Sequence, residues 1–123
     1  MKIKTIDKEK IIFDNENYLT YFHSQDCCEN VYADFENIQV ITKLGSNFVN
    51  SNNLEFDENL ENHINKVKGV GFEIEDKNGI RLFVSCYNEQ NGYYSSDLEL
   101  QYVKMSPTTV IIDISDCVKD EIY

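Results

Sequence analysis

The dipeptide Asn78-Gly79 constrains this chain more than any other feature of its sequence. It stands between two runs that alternate apolar and polar residues, Val70 to Asp76 and Ile80 to Tyr87. An Asn-Gly pair in that setting is the strongest short-range signal for an antiparallel hairpin. A period of two puts Phe72 and Ile74 on one face of the first run, and Ile80, Leu82, Val84 and Cys86 on one face of the second. Two more alternating runs follow: Ser96 to Lys104, with Leu98, Leu100 and Tyr102 inward, and Thr109 to Ile114 beyond the break at Ser106-Pro107. The expectation is a C-terminal meander of four strands.

The N-terminal half offers shorter signals. Lys2 to Ile6 reads as an edge strand whose lysines discourage pairing with other chains. Lys10 to Phe13 and Tyr18 to His23 flank Asp14-Asn15-Glu16-Asn17, which is turn chemistry, so they form a second hairpin. Asp26 to Phe35 reads two ways. As a helix it would start at an Asp26 cap with Glu29 three positions on, and would gather Cys28, Val31, Tyr32 and Phe35 in a stripe. As a strand it alternates less cleanly. The reading adopted is a strand-like passage into a short helical turn near Asp34 to Ile38, then a strand from Ile38 to Leu44. Residues 45–53 are loop-like, and long for an internal connection. Asp57 would cap a helix from Glu58 to Val67, with Leu60, Ile64 and Val67 at helical spacing. The fold class expected is α+β, mainly antiparallel sheet with one or two short helices. At 123 residues, one domain spanning 1–123 suits the length.

Charge bears on partners. The formal net charge is -11, which repels phosphate backbones and argues against direct nucleic-acid binding. From Ile11 to Thr42 there are carboxylates at Asp14, Glu16, Asp26, Glu29, Asp34 and Glu36 and no Lys or Arg, while Lys2, Lys4, Lys8 and Lys10 crowd the N-terminus. Such an uneven distribution suits docking to a basic protein surface. No apolar run is long enough to span a bilayer and no signal-peptide core opens the chain, so a reduced cytoplasmic setting without a membrane partner is expected.

Two stretches concentrate polar and reactive groups. The first, His23 to Phe35, holds His23, Asp26, Cys27, Cys28, Glu29 and Tyr32. Imidazole and thiolate are good zinc ligands, but vicinal cysteines without a Cys-x-x-Cys pair seldom close on one tetrahedral ion. A Cys/His nucleophile would need a positioned base and an oxyanion hole, and no Gly-rich turn opens a helix after either cysteine. No metal, cofactor or catalytic residue is therefore assigned; the thiols read as small apolar side chains and His23 as mainly structural, while these six residues also stand as candidate binding residues. The second stretch, Tyr87 to Asp97, gathers Asn91, Tyr93, Tyr94 and Ser95, a mixture suited to stacking and adaptable hydrogen bonding.

Gln25-Asp26-Cys27-Cys28-Glu29 within the first stretch, together with Asn91-Gly92-Tyr93-Tyr94-Ser95-Ser96 within the second, resembles a family of small uncharacterised proteins of bacteriophages and prophages. The resemblance carries no activity. It implies a setting: a phage-type accessory protein that acts on a host system. Combined with the charge, it gives the expectation of a non-enzymatic protein that binds and blocks a basic surface of a host protein, nucleic-acid-binding defence components included. The alternative is a small-molecule or nucleotide-sequestering protein, in which Tyr93 and Tyr94 stack a base, His23 or Asn91 hydrogen-bonds it, and Arg81 offsets a phosphate.

Overall fold

The structure is a computed structural model that describes residues 1–23, 31–41, 50–88 and 97–120. Its first sheet is antiparallel throughout. It contains β1 (Ile3–Ile6), β2 (Lys10–Phe13), β3 (Tyr18–Phe22), β9 (Glu99–Lys104) and β10 (Thr108–Asp113), in the order β1-β2-β3-β9-β10. The expected N-terminal hairpin is β2–β3. Its turn closes through Glu16 N–H to the Phe13 carbonyl (3.0 Å) and Phe13 N–H to the Asn17 carbonyl (2.8 Å), with Glu16 in the left-handed region at φ 72°.

The second sheet is built around β8 (Arg81–Asn88). On one side β7 (Gly71–Glu75) pairs with residues 81–85 of β8, and β6 (Ile64–Val67) lies beyond it. β5 (Gln39–Ile41) pairs with residues 81–83 and β4 (Val31–Ala33) with residues 86–88. A 3-10 turn, Phe35–Asn37, joins β4 to β5, where the sequence predicts a helical turn. β11 (Lys119–Asp120) runs parallel to residues 87–88. The Asn78-Gly79 hairpin is present between β7 and β8. Gly79 takes the positive φ (80°), and the Asp76 carboxylate accepts the N–H groups of Asn78 (2.9 Å) and Ile80 (2.8 Å).

The alternation read from sequence sets the core. Ile11, Phe13, Leu19, Leu98, Leu100 and Tyr102 from the first sheet and Phe72, Ile74, Leu82, Val84 and Cys86 from the second are buried in one hydrophobic cluster. One core shared by two layers of strand is a stable way to bury two one-sided apolar faces. Tyr102 brings a polar group into it. Its hydroxyl donates to the Glu58 carbonyl (2.6 Å) and accepts from Asn17 Nδ2 (2.9 Å), so the buried phenol is satisfied.

Three expectations need correction. The helix from Glu58 to Val67 is instead a 3-10 turn, Leu60–His63, followed by β6. Ile64 and Val67 are β-branched, and pairing Ile64 with Ile74 and Val67 with Gly71 satisfies an edge of β7 that a helix would leave open. No α-helix occurs among the described residues, so the fold is mainly β rather than α+β. The four C-terminal strands also do not form one meander: β7–β8 belongs to the second sheet and β9–β10 to the first. β5 and β7 both pair with the first half of β8 and β4 with its second half, while β3 still offers an edge, which β9 takes from Tyr18↔Val103 to Phe22↔Glu99.

Candidate functional site

Where β3 of the first sheet comes up to β4 of the second, the surface forms a groove of about 520 Å³ lined by Lys8, Glu9, Tyr21, Tyr32, Ala33, Asp34 and Glu36. Each wall is held by local bonding. The turn between β1 and β2 is closed by Asp7, whose carboxylate accepts the N–H groups of Glu9 (2.8 Å) and Lys10 (3.0 Å). Those two bonds hold the Asp7 carboxyl below its usual pKa. Thr20 Oγ1 donates to the Glu9 carbonyl (2.8 Å), tying the turn to β3. On the opposite wall, Asp34 N–H donates to the Ser85 carbonyl (2.8 Å), anchoring the residue after β4 to β8. Asn37 Nδ2 donates to the Asp34 carboxylate (3.0 Å) and fixes its orientation.

The floor is aromatic. Tyr21 packs on buried Phe35, with ring centroids 5.8 Å apart, and Tyr32 packs on Tyr87 at 5.6 Å. Burial raises the Tyr21 phenol pKa, and the charges of Glu9 and Asp34 raise it further, so carboxylates from both walls act on one hydroxyl. The groove thus offers tyrosine faces, three carboxylates and one ammonium. That composition receives a cation and repels an anion.

The structure divides the base-free acidic run. Asp14 and Glu16, at the β2–β3 turn, are answered by the N-terminus of the chain: Lys2 N–H donates to Asp14 (3.1 Å), and the Lys4 ammonium pairs with Glu16 at 2.9 Å. Asp34 and Glu36 instead join Glu9 in the groove. Of the residues singled out from sequence, Tyr32 lies in the groove. His23 has its ring 5% exposed. Its Nδ1 donates to the Asp97 carbonyl, and the Asp97 carboxylate stands 3.5 Å from the same nitrogen. Asp26, Cys27, Cys28, Glu29, Asn91, Tyr93, Tyr94 and Ser95 lie outside the described residues. Described residues of the two stretches are paired: His23 with Asp97, and Val31 with Asn88 in the β4–β8 register. At these points the two stretches are neighbours in the fold.

Arg81 pairs with Glu73 across β7–β8 at 3.3 Å. Cys86 and Cys117 are buried free thiols. Burial pushes the Cys86 thiol up to about 12 and the Cys117 thiol to about 11, which keeps them protonated and poor nucleophiles near neutral pH. Among the described residues no group of three or more His, Cys, Asp or Glu is placed to hold a metal ion, and no helix is long and apolar enough to cross a membrane. Lys8, Glu9 and Tyr21 are not site candidates on sequence grounds. The available signal was the inward register of Tyr21 on β3. That the β1–β2 turn meets β4 is a tertiary fact.

No curated protein and no solved structure matches the chain. A family model described as a domain of unknown function, DUF7448, matches residues 1–100, a span that contains the whole groove. With that match covering 100 of its 123 residues, the chain belongs to the DUF7448 family.

Proposed function

We propose that this is a non-enzymatic binding protein, a phage-type accessory factor acting in the host cytoplasm, that occupies a basic surface of a host protein. Nucleic-acid-binding defence components are the target class, because their basic surfaces complement a chain of net charge -11. The supporting observation is the groove in which Glu9, Asp34 and Glu36 surround Tyr21 and Tyr32. An arginine or lysine from the partner would lay its stem along the tyrosines and its cationic head among the carboxylates. Arginine is the better fit, since its planar guanidinium both stacks and bonds carboxylates in pairs. The overall charge adds long-range attraction, which raises the association rate and is screened by salt.

The test is capture of the partner from host lysate, followed by titration of the purified pair at low and high salt. Wild-type affinity should fall as salt rises. The triple variant Glu9→Gln, Asp34→Asn, Glu36→Gln should bind roughly tenfold more weakly, because partly exposed ion pairs are worth about 0.2 to 1 kcal/mol each. Binding that ignores salt, or that survives neutralisation of the groove unchanged, would overturn the reading.

A further inference from the structure

We infer that the outer edge of β10 is a self-association surface, on which a second copy of this chain pairs antiparallel to join two first sheets into one. β10 ends the order β1-β2-β3-β9-β10. Ile114 N–H donates to the Leu98 carbonyl (3.0 Å), one step beyond the continuous register from Thr108↔Lys104 to Asp113↔Glu99. In an antiparallel ladder, hydrogen-bonded pairs alternate. The even-numbered residues of β10 therefore direct their N–H and C=O groups at β9, and Thr109, Ile111 and Asp113 direct theirs away from the sheet. The Lys66 ammonium meets the Asp113 carbonyl on that outer side (3.4 Å). The described residues give neither Thr109 nor Ile111 a hydrogen-bond partner there.

Among the described residues, the edge from Thr108 to Ile112 has no guard. Edge strands are normally protected by lysines, prolines or bulges. Thr108 to Ile112 contains no charge and no proline, every residue is β-branched, and the register with β9 is unbroken. Ile111 is 59% exposed. The opposite edge of the same sheet carries exposed Lys2 and Lys4 and a break in register between Ile3 and Thr5.

The segment is complementary to itself. Asp113 already has its carbonyl met by Lys66, and Pro107 has no N–H, so a ladder on this edge is confined to Thr109 and Ile111. That places a twofold axis at Val110: Thr109 exchanges backbone bonds with the partner's Ile111, and Ile111 with the partner's Thr109. Val110 faces its own copy, and each cross-strand pair is β-branched, which favours a sheet. The two Asp113 carboxylates fall at opposite ends of the ladder, so this window of a strongly acidic chain brings no like charges together.

The experiment is sedimentation equilibrium of the whole chain over a range of concentration and salt. Wild type should pass from monomer to dimer with concentration, and more readily as salt rises, because two chains of charge -11 repel. This salt response is opposite in sign to that expected for the basic partner, so the two readings fail separately. Ile111→Lys should weaken dimerisation at least about tenfold, since twofold symmetry counts each substitution twice. Thr109→Pro removes an outward N–H while leaving the bonds to β9, and should do the same with the monomer still folded by near-ultraviolet circular dichroism. The groove triple variant, which carries three fewer negative charges per chain, should dimerise at least as readily as wild type. A wild-type chain that stays monomeric at every concentration and salt overturns the inference. So does a dimer that survives both edge substitutions, or an edge that pairs only with a strand from a different protein.

Discussion

In the second sheet β8 has neighbours along its length, β7 on one side and β5 or β4 for the remainder, whereas in the first sheet β1 and β10 each keep an outer edge. The first sheet is made of regular hairpins in nearly continuous register. The second covers β8 by recruiting short segments, three residues each in β4 and β5, with a 3-10 turn inserted between them. Regular hairpins are simple to specify but leave backbone groups at the rim. A strand enclosed by irregular segments satisfies its backbone and has little room to adjust. The groove lies where the two arrangements meet, with the β1–β2 turn of one sheet against the irregular β4 passage of the other.

The largest effect should come from crowding the enclosed strand. A Cβ on Gly71 would lie 2.0 Å from the Val84 carbonyl oxygen and 3.0 Å from Ser85 Cα, both backbone atoms of β8. Gly71→Ala must therefore move β7 off β8, and should cost at least about 3 kcal/mol in urea unfolding, at the top of the range for overpacking. Gly69, two residues earlier, separates space from backbone conformation. It has nothing within 4 Å and a φ of +72°, so Gly69→Ala should cost only about 1 to 2 kcal/mol, the strain of a left-handed residue. Equal costs at the two positions would mean that β7 yields freely, and the contrast between the sheets would lose its basis.

A second contrast lies in pH. Cys86, on β8 opposite Ala33, has its thiol pushed up to about 12 by burial and then by nearby Cys117. In the unfolded chain the thiol ionises near 9. Above that pH the unfolded state has lost a proton that the folded state keeps, so stability is full below about 9 and declines toward 12. The slope approaches about 1.4 kcal/mol per pH unit for one thiol. Urea midpoints at pH 8 and pH 10 under reducing conditions should fall further for wild type than for Cys86→Ala. Parallel falls would show that the second sheet does not depend on a protonated thiol.

How much was legible in the sequence follows the same division. The hairpins could be read because turn residues and alternation are local: Asn78-Gly79 fixed β7–β8, Asp14 to Asn17 fixed β2–β3, and the inward sets from Phe72 to Tyr102 are buried except for Ile80, which precedes β8 and is half-buried. Sheet membership could not be read. β9 pairs with β3, about eighty residues away in sequence, because β8 was already flanked, and no local signal records that competition. β6 was misread because Leu60, Ile64 and Val67 fit a helical stripe, and an available edge of β7 decided otherwise. In the groove, Tyr32 came from sequence. Glu9 and Tyr21 did not, since their meeting with Asp34 depends on two sheets facing each other.

The smallest effect expected is at the acid end and belongs to the first sheet. Asp7 closes the β1–β2 turn by accepting two backbone N–H groups, which lowers its pKa from 3.8. Asp113, at the end of β10, is lowered in the same way by the Ser115 hydroxyl (2.6 Å) and N–H (3.0 Å). A carboxyl that is more acidic in the folded state contributes stability above its unfolded pKa and loses it as pH falls through the folded value. Both groups are exposed, so the change is local: the turn loosens while the core persists. The Glu9 and Lys10 amide resonances should titrate together with a midpoint below 3.8, and Asp7→Ala should abolish that titration with only a small fall in melting temperature at pH 7. Because Glu9 is a wall of the groove, the same variant should weaken binding of the basic partner by a factor of about two, through loss of positioning together with loss of one negative charge. A midpoint at or above 3.8 would mean that the turn is not held by Asp7, and the acid weakness of the first sheet would have to be sought elsewhere.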